Sequence, residues 1–251
     1  MGLTVNKRLQ LQAGQVDVWL TSLVGFSDQD ACLQLLSEPE RDQWSRFRVE
    51  DARLQYLVTR ALVRTTLSRY AEVSAKNWQF GMNKYGRPHI SQPKAVCDLC
   101  FNLSNTTGLV VCAVSKDCEV GIDVENLART VDIDELAPSV FAPAELADFR
   151  WCGEQDRYNR FFSYWTLKES YIKARGMGLS IPLDAFWFEL GGSSPLLYVT
   201  DRCPDIPERW RFYQYAPTDE HMMAVAIAAP RGMEPLIRLR WVKPVVGPEL
   251  A

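Results

Sequence analysis

The chain has 251 residues, 47% of them hydrophobic and 24% charged, with 14 Gly and 14 Pro; this suffices for one large domain or two small ones and excludes disordered, fibrous and collagen-like classes. Its 28 Lys and Arg against 31 Asp and Glu leave a net charge of -3, which lends no support to general nucleic-acid binding. The longest uncharged apolar run, Met222 to Ala229, is strand-length, so no membrane span is expected.

Met1 to Gln10 mixes Lys7 and Arg8 with polar residues and lacks the apolar core of a secretory leader. Asn6 stands where a myristoylation signal needs Ser or Thr, and the expectation is a cytoplasmic protein. Seven cysteines, an odd number scattered from Cys32 to Cys203, argue against a disulfide framework and for small core residues. Cys97 and Cys100 form a lone C-x-x-C, and His89 and His221 are the only histidines, too few ligands at the wrong spacing for a structural zinc.

The charge is unevenly divided. Residues 1–119 carry 14 basic and 12 acidic side chains, net +2, and residues 120–251 carry 14 and 19, net -5. A phosphate-binding half beside a metal-binding half has this signature, and so does plain surface composition.

Ser37-Glu38-Pro39-Glu40 predicts a capping box and a helix start. After Glu50 and Asp51, Leu54, Leu57, Val58, Ala61 and Leu62 form a helical apolar stripe. Arg53, Arg60 and Arg64 fall on another face, which reads as a solvated basic surface. Trp78 to Phe80 is strand-like, Asn83-Lys84-Tyr85-Gly86-Arg87-Pro88 is a turn with His89 at its edge, and Leu109 to Val114 is an apolar strand. A strand at Val120 to Glu125 and a helix opened by Pro143 follow. An aromatic-rich helix then runs from about Asp156 to Ala174 and stops at Gly176 and Gly178. Phe186-Trp187-Phe188 and Met222 to Ala229 supply further strands.

The order long helix, Phe/Trp strand, apolar strand therefore occurs twice. The expected fold is α+β, a pseudo-twofold tandem of two similar halves, residues 1–119 and 120–251, with an extensive interface and no low-complexity linker.

Val120-Gly121-Ile122-Asp123-Val124-Glu125 alternates strictly, which puts Asp123 and Glu125 together on one face. Two close carboxylates call for a cation or a shared proton, and hard oxygen ligands suit Mg²⁺ or Mn²⁺; the plain alternative is a half-exposed strand with its acids in water. Trp165, Glu169 and Lys173 recur every four residues on one helical face. Glu and Lys at this spacing are also the ordinary surface pair, although Phe161, Phe162, Tyr164, Leu167, Tyr171 and Ile172 leave that helix little free surface. There is no G-x-G-x-x-G, P-loop or G-x-S-x-G, and two histidines leave little room for a Ser/His/Asp triad.

Gly121-Ile122-Asp123-Val124-Glu125, followed 44 residues after Glu125 by Glu169 within Trp165-Thr166-Leu167-Lys168-Glu169-Ser170-Tyr171-Ile172-Lys173, closely resembles the signature of 4'-phosphopantetheinyl transferases. Tyr85-Gly86-Arg87-Pro88 and Phe101-Asn102-Leu103-Ser104-Asn105 are similar to that family's conserved turn and its F-N-x-S-H segment. The resemblance runs from about Arg41 to Ala229, and the length resembles the long, surfactin-synthetase-type members, which are pseudo-dimers of two α+β halves.

The resemblance implies transfer of the phosphopantetheine arm of coenzyme A to a serine of a carrier protein, with release of adenosine 3',5'-bisphosphate and a requirement for Mg²⁺, or Mn²⁺ in its place. It implies Asp123, Glu125 and Glu169 as metal ligands facing the coenzyme A pyrophosphate. Glu169, directly or through a metal-bound water, is the candidate base for the carrier serine, and Lys173 the cation facing the leaving phosphate. Arg87, where the family often has Lys, would bind a coenzyme A phosphate. Ser104 would offer the nucleotide a hydroxyl, and Arg53 is a further candidate phosphate contact. Asn105 stands where the family commonly places His near the 3'-phosphate; it keeps a donor but carries no charge, so tolerance of 3'-dephospho-coenzyme A, or weaker discrimination against it, is expected. Glu145 occupies a place where long members often have an acid near the metal, in a supporting or structural role.

The implied partner is an acyl or peptidyl carrier of a peptide, polyketide or fatty-acid synthase, and the implied state is a monomer with the coenzyme cleft between its halves. Two other readings stand beside this one. A metal-dependent phosphohydrolase or nuclease would use the same carboxylates on water. An inactive homologue would only bind carriers, against which stands the presence of Asp123, Glu125, Glu169 and Lys173 together.

Overall fold

The computed structural model describes residues 8–96 and 98–244. Cys97 of the C-x-x-C, and Met1 to Lys7 of the N-terminal stretch, lie outside them. The first part of the chain runs β1 (Gln15–Ser22), α1 (Gln29–Leu33), α2 (Glu38–Ser45), α3 (Glu50–Leu67), β2 (Gln79–Met82), β3 (Pro88–Gln92), β4 (Leu99–Thr106) and β5 (Leu109–Lys116). The second runs β6 (Val120–Asn126), α4 (Ile133–Val140), α5 (Pro143–Trp151), α6 (Arg157–Arg175), β7 (Phe186–Glu189), β8 (Leu196–Val199), β9 (Trp210–Thr218), β10 (His221–Ala228) and β11 (Leu236–Trp241).

The duplication shows in the strand order. One sheet holds β1-β5-β4 and the other β6-β10-β9: in each, the opening strand of the half pairs with the second strand of a later hairpin, whose first strand lies outermost. Each half also carries one long helix and one small hairpin, α3 with β2-β3 and α6 with β7-β8. The final strand breaks the symmetry, because β11 crosses back and pairs in parallel with β1 on the edge of the first sheet.

Period-two patterning sorts the strand residues into layers. Val110, Cys112 and Val114 of β5 face α3 with Val58 and Leu62, while Leu109, Val111 and Ala113 face the second sheet. Val120, Ile122 and Val124 of β6 and Met223, Val225 and Ile227 of β10 meet them there. Ala224 and Ala226 point the other way, into a core filled by Phe161, Phe162, Tyr164, Leu167 and Tyr171 of α6. The result is helix, sheet, sheet, helix, with the inner aliphatic layer shared by both halves.

The local signals account for the helix ends. Ser37 N–H donates to Glu40 Oε2 at 2.9 Å, the expected capping box, and α2 begins at the next residue. Gly176 closes α6 in the left-handed conformation, φ 61°, with its N–H on the carbonyls of Ile172 and Lys173. The expected solvated basic face on α3 needs correction: Arg64 is 1% exposed, pairs with Glu40 at 2.7 Å and donates to the carbonyls of Ala75 and Trp78. Its partners come from segments on either side of α3, so helical periodicity alone could not place it inward. Arg53 and Arg60 remain partly exposed, stacked over Trp44 and Tyr56.

One feature of the seam between halves positions the site. β6 is an edge strand of its sheet, and an edge needs partners for its open N–H groups. β4 supplies them from side chains: Asn102 Oδ1 accepts from Ile122 N at 2.9 Å, Ser104 Oγ from Val124 N at 3.2 Å and Thr106 Oγ1 from Asn126 N at 3.1 Å. Polar residues two apart on β4 thus form a three-rung ladder onto the opening strand of the second half.

Candidate functional site

Gly121 sets how close α6 lies to β6. A Cβ there would come within 2.0 Å of Ser170 O and 2.5 Å of Ala174 N, so only glycine permits the contact. With the helix seated this low, the β6 residues of the same face, Asp123 and Glu125, lie directly under the four-residue row of α6. Trp165 Nε1 donates to Glu125 Oε1 at 2.9 Å, and Lys173 Nζ donates to Asp123 Oδ1 at 2.6 Å. The reading of these acids as water-facing is therefore corrected: Asp123 is 4% exposed.

Around Asp123 the hydrogen bonding is lopsided. Oδ1 accepts from both Lys173 Nζ and Ser104 Oγ, the latter at 3.0 Å. Oδ2 is buried and has no hydrogen-bond partner. Glu125 is satisfied at both oxygens, by Trp165 and by Arg129 Nη1 at 2.7 Å. Glu169 stands between them in charge: burial raises its carboxyl above the usual value, the negative Asp123 and Glu125 raise it further, and Lys173 opposes them.

Among the described residues no three His, Cys, Asp or Glu side chains converge tightly enough to form a ready-made metal cage. Mg²⁺ does not need one, since it keeps several waters and takes one or two carboxylates together with substrate phosphates. The bare Oδ2 of Asp123, in a cluster of three acids against the two cations Lys173 and Arg129, is the donor that fits such an ion.

The remaining sequence candidates fall in three places. Ser104 belongs to the cluster itself. Arg87 lies at its far end: its guanidinium donates to Val120 O at 3.0 Å and to Ala174 O, and burial lowers its pKa. With Asn83 Nδ2 on Gly176 O at 2.7 Å, it caps the C-terminus of α6 from the first half of the chain. Asn105 is exposed on β4 beside Ser104, and Arg53 sits near the start of α3, over Trp44. His89 lies on β3 opposite Gly81 and takes no part.

Glu145 is structural. It is fully buried, paired with Lys168 Nζ at 2.7 Å, and accepts from the backbone N–H groups of Ala142 and Phe188. Lys168, one residue before Glu169 and on the buried side of α6, also donates to the carbonyls of Leu183 and Phe186. Sequence reading missed this lysine, and also the β4 ladder, although a polar triplet at period two in an otherwise inward strand was the available signal.

Comparison with known proteins agrees with this architecture. The model for the 4'-phosphopantetheinyl transferase N-terminal region matches residues 25–117, and that for the 4'-phosphopantetheinyl transferase superfamily matches residues 119–226. The 4'-phosphopantetheinyl transferase HetI of Nostoc sp. is 31% identical over 88% of this chain and 90% of its own. A 4'-phosphopantetheinyl transferase of Bacillus subtilis is 29% identical over 85% and 91%, and the transferase Sfp of Bacillus subtilis strain 168 is 28% identical over the same shares. These relatives, which cover most of the chain, place the molecule among transferases. The chain belongs to the 4'-phosphopantetheinyl transferase family.

Proposed function

We propose that the protein moves the 4'-phosphopantetheine arm of coenzyme A onto a serine of an acyl or peptidyl carrier protein, with the chemistry at the Asp123-Glu125-Glu169-Lys173 cluster. The carrying observation is the buried, unpartnered Oδ2 of Asp123 inside that cluster. Asp123 and Glu169, with Glu125 beside them, would hold Mg²⁺ or Mn²⁺, and the chemistry the ion supplies is neutralisation of charge on the pyrophosphate.

The protein's own groups do the rest. Glu169, whose carboxyl burial and its acidic neighbours hold above the ordinary carboxylate value, takes the serine proton directly or through a water. The serine oxygen bonds to the β-phosphorus as the bond to adenosine 3',5'-bisphosphate breaks. Lys173 has one proton beyond those given to Asp123 and Ser104, and directs it to the leaving phosphate. Arg87 has N–H groups beyond the two it commits to carbonyls, and the partly exposed Arg53 and the exposed Asn105 lie on the same half; these are the proposed contacts of the coenzyme phosphates.

In this reading residues 1–119 hold the nucleotide and residues 120–251 the metal and the reacting groups. Both walls of the cleft then come from one chain, which suits a monomer. Buried free thiols at Cys32, Cys112 and Cys203 suit the reducing cytoplasm.

Release of adenosine 3',5'-bisphosphate tests the proposal. It should require apo carrier, coenzyme A and a divalent ion together; release from coenzyme A alone would instead mark a phosphohydrolase.

A further inference from the structure

His221, the first residue of β10, is 5% exposed, and its ring spans the seam between the halves. Nε2 lies 2.8 Å from the carbonyl of Thr107 in the β4–β5 turn, and Nδ1 lies 2.6 Å from Thr218 Oγ1 at the end of β9. A carbonyl oxygen only accepts, so the proton sits on Nε2 and Nδ1 accepts from the Thr218 hydroxyl. Thr218 Oγ1 is itself held by Glu220 N–H at 3.2 Å, so the imidazole is fixed on both sides.

Asn126, opposite His221 in the β6–β10 register, grips the same point. Its Nδ2 donates to the Thr107 carbonyl at 3.1 Å, its Oδ1 accepts from Ala128 N at 2.7 Å, and its own N–H is on Thr106 Oγ1. Two donors thus fill both lone pairs of one carbonyl oxygen, which brings Asn126 Nδ2 and His221 Nε2 to 3.4 Å of each other. The turn they hold is tight: Thr106 and Leu109 pair directly, and Gly108 between them has φ 83°.

The place of this clasp gives it a consequence for the site. β4 is the edge strand of its sheet and ends on Ser104, Asn105 and Thr106, the first two of which are the expected coenzyme contacts on this strand. β6 carries Asp123 and Glu125 and ends on Asn126. Thr107 is therefore where the nucleotide side of the cleft is tied to the strand that bears the acids. We propose that His221 is a positioning residue for the coenzyme: by holding the Thr107 carbonyl it fixes the end of β4, and with it Ser104 and Asn105, relative to the Asp123-Glu125 strand. The second half then contributes to coenzyme affinity through a residue that does not touch the coenzyme. The proposal rests on the transferase reading above.

Steady-state kinetics on wild type, His221→Phe and His221→Gln test it, with calorimetric binding of adenosine 3',5'-bisphosphate in chelator and thermal unfolding alongside. His221→Phe keeps a planar ring and loses both nitrogen contacts. KM for coenzyme A and Kd for the bisphosphate are expected to rise together by roughly 2- to 10-fold, the worth of one hydrogen bond, with kcat unchanged. His221→Gln, whose side-chain amide keeps a donor for the Thr107 carbonyl, is expected to restore most of both. A lower melting temperature with both constants at wild-type values would make His221 a structural residue only and overturn the proposal. A fall in kcat at unchanged KM would overturn it as well. Should His221→Phe unfold, Thr218→Val, which removes the hydroxyl that fixes Nδ1, carries the same comparison: both constants are expected to rise, and unchanged values would overturn the proposal. Failure of the transferase reading shows separately, as a wild-type protein that modifies no carrier.

Discussion

Helix α6 carries two lysines five residues apart, each paired with an acid from another element, and the pairs differ in what is left over. In the Lys168–Glu145 pair both side chains are 0% exposed and both Glu145 oxygens have partners: Oε2 takes Lys168 and Ala142 N, and Oε1 takes Phe188 N. In the Lys173–Asp123 pair the lysine is 27% exposed and one buried carboxylate oxygen has no donor. A saturated pair holds α5, α6 and β7 together and can do nothing else. An unsaturated one keeps a lone pair and a proton available for ligands. Asp17 gives the same contrast in the first half: it also sits mid-strand in the opening strand of its sheet, yet its oxygens are taken by Gln15, Tyr70 and Arg240.

The widest split between the pairs should appear in stability. Glu145→Gln leaves the Lys168 ammonium buried and is expected to cost about 3–5 kcal/mol by denaturant unfolding. Asp123→Asn should do the reverse, lowering turnover by on the order of 10²–10³ with a smaller loss of stability than Glu145→Gln. Equal stability losses for the two would erase the distinction. Gly121→Ala forces α6 off β6; an overpacking cost of about 1–3 kcal/mol in thermal unfolding, together with reduced turnover, is the expected result.

A pH series on Glu169→Gln sharpens the comparison further. The Glu169 carboxyl is raised in the folded protein, first by burial and then by Asp123. The folded state then binds more protons than the unfolded chain, so stability falls as pH rises from about 4.3 through the raised folded value and stays low above it. In chelator, Glu169→Gln should be more stable than wild type at neutral pH, and the difference should shrink as pH falls toward the unfolded value. The smallest effect concerns the donor. Asn105→His should increase the preference, in kcat/KM, for coenzyme A over its 3'-dephospho form, and an unchanged ratio would remove residue 105 from phosphate recognition.

Much of this was legible in the residues because the deciding signals are local. The capping box at Ser37, the stop at Gly176, the alternation of Val120 to Glu125 and the four-residue row Trp165, Glu169, Lys173 each act within one or two turns or a single strand. The features that sequence reading missed depend on partners distant in the chain. Arg64 is buried because Glu40 lies 24 residues away, and Lys168 because α5 brings Glu145 to it. Ser104 meets Asp123, Val124 and Lys173 only across the seam, 19 to 69 residues along the chain. β11 announced no pattern of its own, being an exposed strand that mixes Arg238 and Arg240 with Leu236, Leu239 and Trp241.

The central claim is that the unsaturated pair on α6 belongs to a phosphopantetheine-transfer site. Intact-protein mass spectrometry tests it most directly: apo peptidyl and apo acyl carriers are each incubated with the protein, coenzyme A and Mg²⁺, with Asp123→Ala in parallel. A gain of one phosphopantetheine on at least one carrier, lost in Asp123→Ala, is the predicted result. An equal gain with the variant, or none with the wild type on either carrier, would contradict it.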